Sequence, residues 1–204
     1  MFYKIARFIG YILSLLFWPI EIRGGNDFHH NGPLILAANH VSYLDPIALA
    51  IAFKRQIYFL AKKEVFDNPF LGLIVKGLGA IPVDRKNVSP VTIKKTYSIL
   101  KNGNVLGIFP EGTRSLNGEL LDFNKGMIKI ALKTSSPIIP VGIAGTNDIY
   151  PPKAKFPSFW GRKKITVSFG DPIYLDSNKN KDDNYQNNSL LVIKHNIKHL
   201  LEGI

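Results

Sequence analysis

Short apolar runs alternate with longer amphipathic segments along the chain. Each run holds four to seven residues, is rich in β-branched or aromatic side chains, and is bounded by polar residues, glycine or proline. This pattern predicts strands rather than helices. The predicted strands are Leu34–Ala38, Ile57–Ala61, Ala80–Val83, Val105–Phe109, Ile138–Ala144 and Ile165–Phe169.

The segments between these runs predict helices. The clearest one begins at Ser89-Pro90, an N-cap residue followed by proline at the first helical position. It ends at Lys101-Asn102-Gly103, where glycine is typical of a helix C-terminus. Further helices are predicted over Pro46–Phe53, in parts of Glu64–Lys76, over Lys125–Thr134 and from about Leu190 to Leu201. The polar segment Ser177–Ser189 is predicted to be a mobile loop.

The alternation of strands and helices predicts the fold class. Chains of this kind form an α/β fold, with a largely parallel mixed sheet flanked by helices. With 204 residues the chain suits one domain and is too short for two ordinary domains with linkers.

The first twenty residues hold a separate apolar segment. Phe8–Ile20 contains no charged side chain, and Lys4 and Arg7 precede it. Thirteen uncharged residues fall short of the roughly 20 that a transmembrane helix needs, and no small-residue cleavage pattern of a signal peptide follows. We therefore predict a membrane-interface helix within residues 1–23 and a domain over residues 24–204. An ordinary helix packed on the domain remains the alternative.

The amino-acid composition limits which binding partners and which reaction mechanisms are possible. Hydrophobic residues at 46% and charged residues at 20% exclude wholesale disorder and a polytopic membrane protein. The net charge of +11 predicts an anionic partner, which could be nucleic acid, an acidic membrane or a phosphorylated substrate. Because the chain has no cysteine, it cannot form disulfides, thiolate metal sites or a cysteine-bound covalent intermediate.

The turn after the strand Leu34–Ala38 carries the first candidate chemistry. His40 and Asp45 are separated by four residues, which on a regular helix would place them about 140° apart. They can touch only if a strand-to-helix turn lies between them. A carboxylate on one imidazole nitrogen would leave the other to act as a general base. Asp45 could instead be a helix N-cap before Pro46.

The turn Phe109–Ser115 carries the second group of candidate functional residues. Gly107 and Gly112 have the spacing of a nucleotide-binding phosphate loop, but Thr113-Arg114 stands where that loop needs lysine and a hydroxyl residue. Arg114 could hold a phosphate bidentately, and Glu111 could orient Arg114 or accept a proton from a substrate hydroxyl. An ordinary surface pair between the two is the alternative.

Three other functions have weaker support. Basic and aromatic residues interleave over Lys153–Lys164, as in single-strand nucleic-acid binding, but no recognised binding motif accompanies them. A serine hydrolase would need a G-x-S-x-G turn, which is absent. His195 and His199 have the spacing of zinc ligands on a helix, but Asn196 replaces the required glutamate. The adjacent pair His29-His30 is no better a candidate for zinc binding, and both pairs are explained as histidines that face solvent.

Four blocks in order resemble one family, the 1-acylglycerol-3-phosphate acyltransferases. The blocks are Asn39-His-Val-Ser-Tyr-Leu-Asp45, Gly79-Ala-Ile-Pro-Val-Asp-Arg85, Phe109-Pro-Glu-Gly-Thr-Arg-Ser115 and Ile138-Ile-Pro-Val-Gly142. The resemblance implies that His40 is the catalytic base and Asp45 its partner. It also implies that the phosphate and glycerol contacts fall on Arg85, Glu111, Gly112, Arg114 and Lys62.

The reaction implied by the resemblance is transfer of a fatty acyl group from a thioester to the sn-2 hydroxyl of lysophosphatidate, giving phosphatidate without a covalent acyl-enzyme. Acyl-CoA or acyl-acyl carrier protein would be the co-substrate, and no metal or other cofactor is expected. We expect a peripheral or monotopic protein on the cytoplasmic face of an anionic membrane. Transfer to another lysolipid or to glycerol-3-phosphate is the alternative, and a nucleic-acid-binding module is the alternative from another class.

Overall fold

The structure is a computed structural model that describes residues 2–25, 31–67, 69–84, 88–154, 156–161 and 163–204. The strands are β1 (Ile20–Arg23), β2 (Leu34–Ala38), β3 (Ile57–Lys62), β4 (Ile81–Val83), β5 (Val105–Ile108), β6 (Ile138–Ala144) and β7 (Ile165–Phe169). The α-helices are α1 (Phe2–Phe17), α2 (Asp45–Ala52), α3 (Pro69–Gly77), α4 (Pro90–Lys101), α5 (Gly126–Thr134), α6 (Thr146–Ile149) and α7 (Asp183–Glu202).

The seven strands form one mixed sheet in the order β1-β7-β6-β2-β5-β3-β4. Five neighbouring strands, from β6 to β4, run parallel to one another. Strand β7 is antiparallel to β6, and β1 runs parallel to β7 at the edge. The predicted α/β class with a largely parallel sheet is therefore confirmed.

Hydrophobic cores cover both faces of this sheet. Strand β2 lies at its centre, and all five of its residues are buried because helices pack on both sides. On one face, Leu49 and Phe53 from α2 and its C-terminus pack on the sheet. On the other face, α4, α5 and α7 contribute Leu100, Ile128 and Ile193.

Most predicted elements lie where the pattern placed them. Strands β2, β6 and β7 have the predicted bounds, and β3, β4 and β5 differ by one residue at one end. Helix α4 begins at its predicted cap, because the Ser89 side chain accepts a hydrogen bond from the Thr92 N–H at 3.2 Å. Strand β1 was not predicted, since its four residues become a strand only by pairing with β7.

The prediction of a mobile loop over Ser177–Ser189 is wrong. Residues Ser177–Lys179 form a short 3-10 helix, and α7 already begins at Asp183. The Asp182 side chain caps α7 by accepting from the Tyr185 N–H at 2.9 Å. Gln186 and Ser189 are buried, so one face of this segment packs on the domain although its composition is polar.

The N-terminal helix is present but shifted from the apolar run. Helix α1 begins at Phe2 and ends at Phe17, before Pro19. Its inner face packs on the domain, where the Tyr3 hydroxyl accepts from the Ile57 N–H at 3.2 Å and Gly10 lies against Ile51. Its outer face leaves large apolar side chains exposed. Among the described helices, none combines the length and the apolarity needed to cross a bilayer.

Candidate active site

The predicted site residues that the structure describes lie at one edge of the sheet. Strands β2, β3, β4, β5 and β6 are parallel, so their carboxyl ends meet at the same edge. His40 follows β2, Lys62 ends β3, and Glu111 and Arg114 follow β5. Ligands of open α/β sheets bind at this edge.

His40 and Asp45 form the predicted contact. The turn from β2 into α2 brings His40 Nδ1 to 2.8 Å from Asp45 Oδ2. The His40 side chain is 11% exposed and the Asp45 side chain is fully buried. The Phe109 ring stacks on the imidazole with centroids 4.2 Å apart, which fixes the plane of the ring. Because Nδ1 faces the carboxylate, Nε2 is the nitrogen that can exchange a proton with a substrate.

Asp45 does not cap α2 in the way the sequence suggested. The N-cap residue of α2 is Leu44, and no side chain caps it. Asp45 Oδ2 instead accepts from the backbone N–H groups of Val41 and Ser42, at 2.7 and 2.8 Å. The carboxylate therefore holds the turn in place at the same time as it contacts His40.

Glu111 supports the turn from the neighbouring strand. Its Oε1 accepts from the His40 N–H at 2.8 Å, and its Oε2 accepts from the Leu121 N–H at 3.0 Å. Burial raises the pKa of the Glu111 carboxyl above its ordinary value, and the two N–H groups offset only part of that effect. The carboxylate thus ties β5 to β2. Its predicted role toward the substrate stays a prediction.

Arg114 lies over an aromatic ring. Its guanidinium carbon is 3.5 Å from the centroid of the Tyr43 ring, and Nη1 lies 3.5 Å from the Pro152 carbonyl oxygen. Within the described residues no ion pair joins Arg114 to Glu111. The Arg–Glu surface pair that the sequence left as an alternative is therefore not formed, and both Glu111 oxygens accept from backbone N–H groups.

The other predicted contact residues lie near the same edge or outside the described residues. Lys62 is half exposed and pairs with Glu64 at 3.2 Å. Gly112 has φ of +70°, and a Cβ there would lie 3.0 Å from the Asn124 side chain. This conformation favours glycine, so Gly112 has a structural reason to be there. Arg85 lies outside the described residues.

Two contributors to the site were missed from the sequence. Thr146, the first residue of α6, directs its Oγ1 to Asp45 Oδ1 at 2.5 Å and is fully buried. Asn39 bridges β2 to β6, since its side chain donates to the Ile143 carbonyl oxygen and accepts from the Ile143 N–H. The signal for Thr146 was its place just after β6, which is a neighbour of β2.

Metal ligation has no support in the described part of the chain. No group of three or more His, Asp or Glu side chains is arranged there to hold an ion. His195 and His199 both lie on α7, far along the chain from the turns of the site. The pair His29-His30 lies outside the described residues.

Known proteins resemble this chain in sequence and in fold. The sequence model of the family described as Acyltransferase matches residues 19–144. The 1-acyl-sn-glycerol-3-phosphate acyltransferase of Bacillus subtilis (strain 168) is 31% identical over 162 residues, 76% of this chain and 77% of that protein. The protein of the same name from Streptococcus pneumoniae is 34% identical over 193 residues, 90% of this chain and 67% of that protein.

One solved structure shows the same fold. It is the 1-acyl-sn-glycerophosphate (LPA) acyltransferase, PlsC, from Thermotoga maritima, which superimposes with a TM-score of 0.76. The alignment covers 99% of this chain and 79% of that one, at 22% sequence identity. At this identity the likeness supports the architecture alone.

Proposed function

Because the chain belongs to the acyltransferase family, we propose that it transfers a fatty acyl group from a thioester to the sn-2 hydroxyl of 1-acylglycerol-3-phosphate, giving phosphatidate. The names of the relatives from Bacillus subtilis and Streptococcus pneumoniae support this acceptor. The observation that carries the proposal is the buried pair of His40 Nδ1 and Asp45 Oδ2 at the carboxyl edge of the sheet.

His40 acts as the general base. Its Nε2 takes the proton from the acceptor hydroxyl while the hydroxyl oxygen attacks the thioester carbonyl. The new ester C–O bond forms, the C–S bond breaks, and the proton passes from the imidazolium to the leaving thiolate. Asp45 stabilises the imidazolium and holds the tautomer in which Nε2 is free of hydrogen. Transfer is direct, and no acyl-enzyme forms.

Basic side chains at the same edge bind the phosphate of the acceptor. Arg114 presents a planar guanidinium, held over Tyr43, that can bond two phosphate oxygens at once. Lys62 adds positive charge from the end of β3, while Glu111 and Gly112 shape the turn that carries Arg114. We assign Arg85, which lies outside the described residues, to the same phosphate contact because its sequence block resembles that of the family. The net charge of +11 favours an anionic lipid over a neutral one.

The acyl donor is acyl-CoA or acyl-acyl carrier protein. A thioester is already activated toward attack by a hydroxyl, so proton removal and correct placement of the two substrates suffice for transfer. We therefore propose that the protein uses no metal or other cofactor.

The protein attaches to one leaflet of a membrane as a peripheral or monotopic protein. The outer face of α1 exposes Phe8 and Leu16, and strand β1 (Ile20–Arg23), which follows α1, belongs to the sheet of the catalytic domain. Lys4 and Arg7 near the start of α1 suit anionic head groups. The cytoplasmic leaflet carries such lipids, so we propose the cytoplasmic face.

A panel of acceptors tests this function. Purified protein in mixed vesicles is supplied with either thioester donor and with lysophosphatidate, glycerol-3-phosphate, lysophosphatidylcholine or 1-monoacylglycerol. We expect phosphatidate from lysophosphatidate, and little product from the acceptor that lacks phosphate. Preferential acylation of glycerol-3-phosphate or of lysophosphatidylcholine would replace the proposed acceptor. No acyl transfer to any acceptor would overturn the function.

A further inference from the structure

An aromatic loop, described over residues 151–154 and 156–161, lies between α6 and β7 and exposes apolar side chains to solvent. Trp160 is 88% exposed and Phe156 is 81% exposed, more than any other large apolar residue of the described chain. Exposure of this degree for two large rings in one loop is unusual for a protein surface that stays in water.

The aromatic loop is fixed to the end of α1. The Phe159 ring lies 5.3 Å from the Phe17 ring and 5.0 Å from the Trp18 ring, centroid to centroid. Trp18 Nε1 donates to the Ser158 carbonyl oxygen at 2.8 Å. The loop therefore lies against the C-terminal end of α1.

The same loop begins at the candidate active site. The Ser42 hydroxyl donates to the carbonyl oxygen of Tyr150, the residue before the loop, at 2.7 Å. Arg114 Nη1 lies 3.5 Å from the Pro152 carbonyl oxygen. One short segment thus contacts the turns that carry His40 and Arg114 and also the C-terminal end of α1.

We propose that the aromatic loop is a second membrane anchor, which inserts Phe156 and Trp160 into the interface of an anionic bilayer. Aromatic rings favour the boundary between acyl chains and head groups. Residues 151–164 include five basic residues and no acidic one. Lys164 pairs with Glu21, and the remaining positive charge complements anionic head groups. Together with α1 the loop fixes how the protein lies on the surface, and it brings the active-site turn to the lipid.

A fluorescent label at position 160 tests this anchor directly. Because the chain has no cysteine, Trp160→Cys gives a single site for an environment-sensitive dye. Leu191→Cys, at an exposed position of α7, is the matched control. We expect the dye at position 160, and not at 191, to brighten on phosphatidylcholine–phosphatidylglycerol vesicles and to be quenched by lipids with brominated acyl chains.

The same samples distinguish the other outcomes. Co-sedimentation reports whether the protein is on the vesicles, and an acyl-transfer assay in detergent reports the proposed function independently. A dye at position 160 that stays in water while the protein is vesicle-bound overturns the anchor and leaves the α1 attachment intact. A dye that responds only to an added acidic acyl carrier protein would show that the loop binds a protein instead.

A second variant gives the size of the effect. Phe156→Ser combined with Trp160→Ser should weaken vesicle partitioning at least about tenfold, because two rings no longer enter the bilayer. Leu191→Ser should partition like the unaltered protein. Equal partitioning of the double variant and the unaltered protein would contradict the anchor.

Independently, the contacts of Asp45 point to a further residue of the proposed reaction. Asp45 Oδ2 is occupied by His40 and by two backbone N–H groups, and Oδ1 is held by Thr146 Oγ1 at 2.5 Å. The preceding residue, Gly145, has φ of +84°, and a Cβ there would overlap the Lys164 backbone. Position 145 therefore requires glycine, and the backbone conformation there places the Thr146 hydroxyl against Asp45.

We infer that Thr146 is a positioning residue, which fixes the Asp45 carboxylate and through it the tautomer and plane of His40. This rests on the proposed function of His40. Loss of the hydroxyl would let the carboxylate rotate, and a misplaced base costs rate more than it costs substrate binding.

Three variants test Thr146. Thr146→Val keeps the shape, and we expect kcat to fall about 10- to 100-fold with the acceptor KM little changed. Thr146→Ser should restore most of kcat. Thr96→Val is the control, because Thr96 is buried and donates to the Thr92 carbonyl oxygen on α4. Unchanged kcat in Thr146→Val, or failure of serine to restore it, would overturn the inference, whereas loss of activity in His40→Ala is the separate test of the base.

Discussion

At the scale of single residues, the site depends on carboxylates that bind backbone N–H groups. Asp45 accepts from two N–H groups of its own turn, and Glu111 accepts from His40 of β2's turn and from Leu121. Each carboxylate is buried and each holds the backbone that carries His40. The geometry of the imidazole is therefore set by two independent carboxylates, and only one of them touches the ring.

The buried Glu111 predicts a pH dependence of stability. Its pKa is raised on folding, so between the ordinary value of about 4.5 and the raised value the folded chain holds the proton that the unfolded chain releases. Stability contributed by this group is therefore full below that window and declines as pH rises through it. In Glu111→Gln the group does not titrate.

Urea unfolding at several pH values between about 4 and 7 measures this. The free energy of unfolding of the unaltered protein, minus that of Glu111→Gln, should decrease as the pH increases. A difference that increases with pH would show that Glu111 is instead stabilised as an anion.

Arg114 predicts a selective effect on the acceptor. Arg114→Lys keeps the charge but loses the planar fork, so the KM for lysophosphatidate should rise by about tenfold while the KM for the thioester moves little. Arg23→Lys, on edge strand β1, is the matched control. Steady-state kinetics with each substrate varied in turn gives the result. An equal loss with 1-monoacylglycerol, which has no phosphate, would assign Arg114 another role.

At the scale of elements, the hydrophobic pattern was enough to predict the strands that are extensively buried. The fully buried strands β2 and β5 are continuous apolar runs, β7 alternates apolar residues with Thr166 and Ser168, and Ser89 and Gly103 mark the ends of α4. Strand β1 depends on pairing with β7, far along the chain, which local composition does not report. The same limit applies to Thr146, which reaches Asp45 only because β6 lies beside β2.

The cap of α7 gives a prediction at this scale. Asp182→Ala removes the acceptor of the Tyr185 N–H and should lower the free energy of unfolding by about 1 kcal/mol. Asp183→Ala is the control. In the described part of the chain, the one salt bridge of Asp183 is an exposed pair with Lys125 at 3.5 Å, and exposed pairs contribute little stability. Urea denaturation of both variants compares them. Equal stability of the two variants would mean that Asp182 is not the cap.

At the scale of the whole molecule, charge and apolar surface would make separate contributions to the proposed membrane binding. The net charge of +11 acts over the Debye length, about 10 Å at 0.1 M salt, whereas apolar burial is not screened. Helix α1 also packs on the domain through Tyr3 and Ser14, so exposed residues are better targets than deletion of the helix.

Vesicle binding separates the two contributions. Phe8→Ser combined with Leu16→Ser should weaken binding to neutral and anionic vesicles alike, while added salt should weaken binding mainly to anionic ones. Val91→Ser, at an exposed position of α4, is the control. Co-sedimentation across a salt series measures both. Unchanged binding of the double variant would show that α1 is an ordinary packing helix.

The central claim is that His40 is the base of acyl transfer, and His40→Ala tests it most directly. Turnover of lysophosphatidate with an acyl thioester should fall by about 10² to 10⁴, while circular dichroism and thermal unfolding show that the variant is folded. His195→Ala, on α7, controls for the loss of a histidine elsewhere. Near-normal turnover by a folded His40→Ala protein would contradict the assignment.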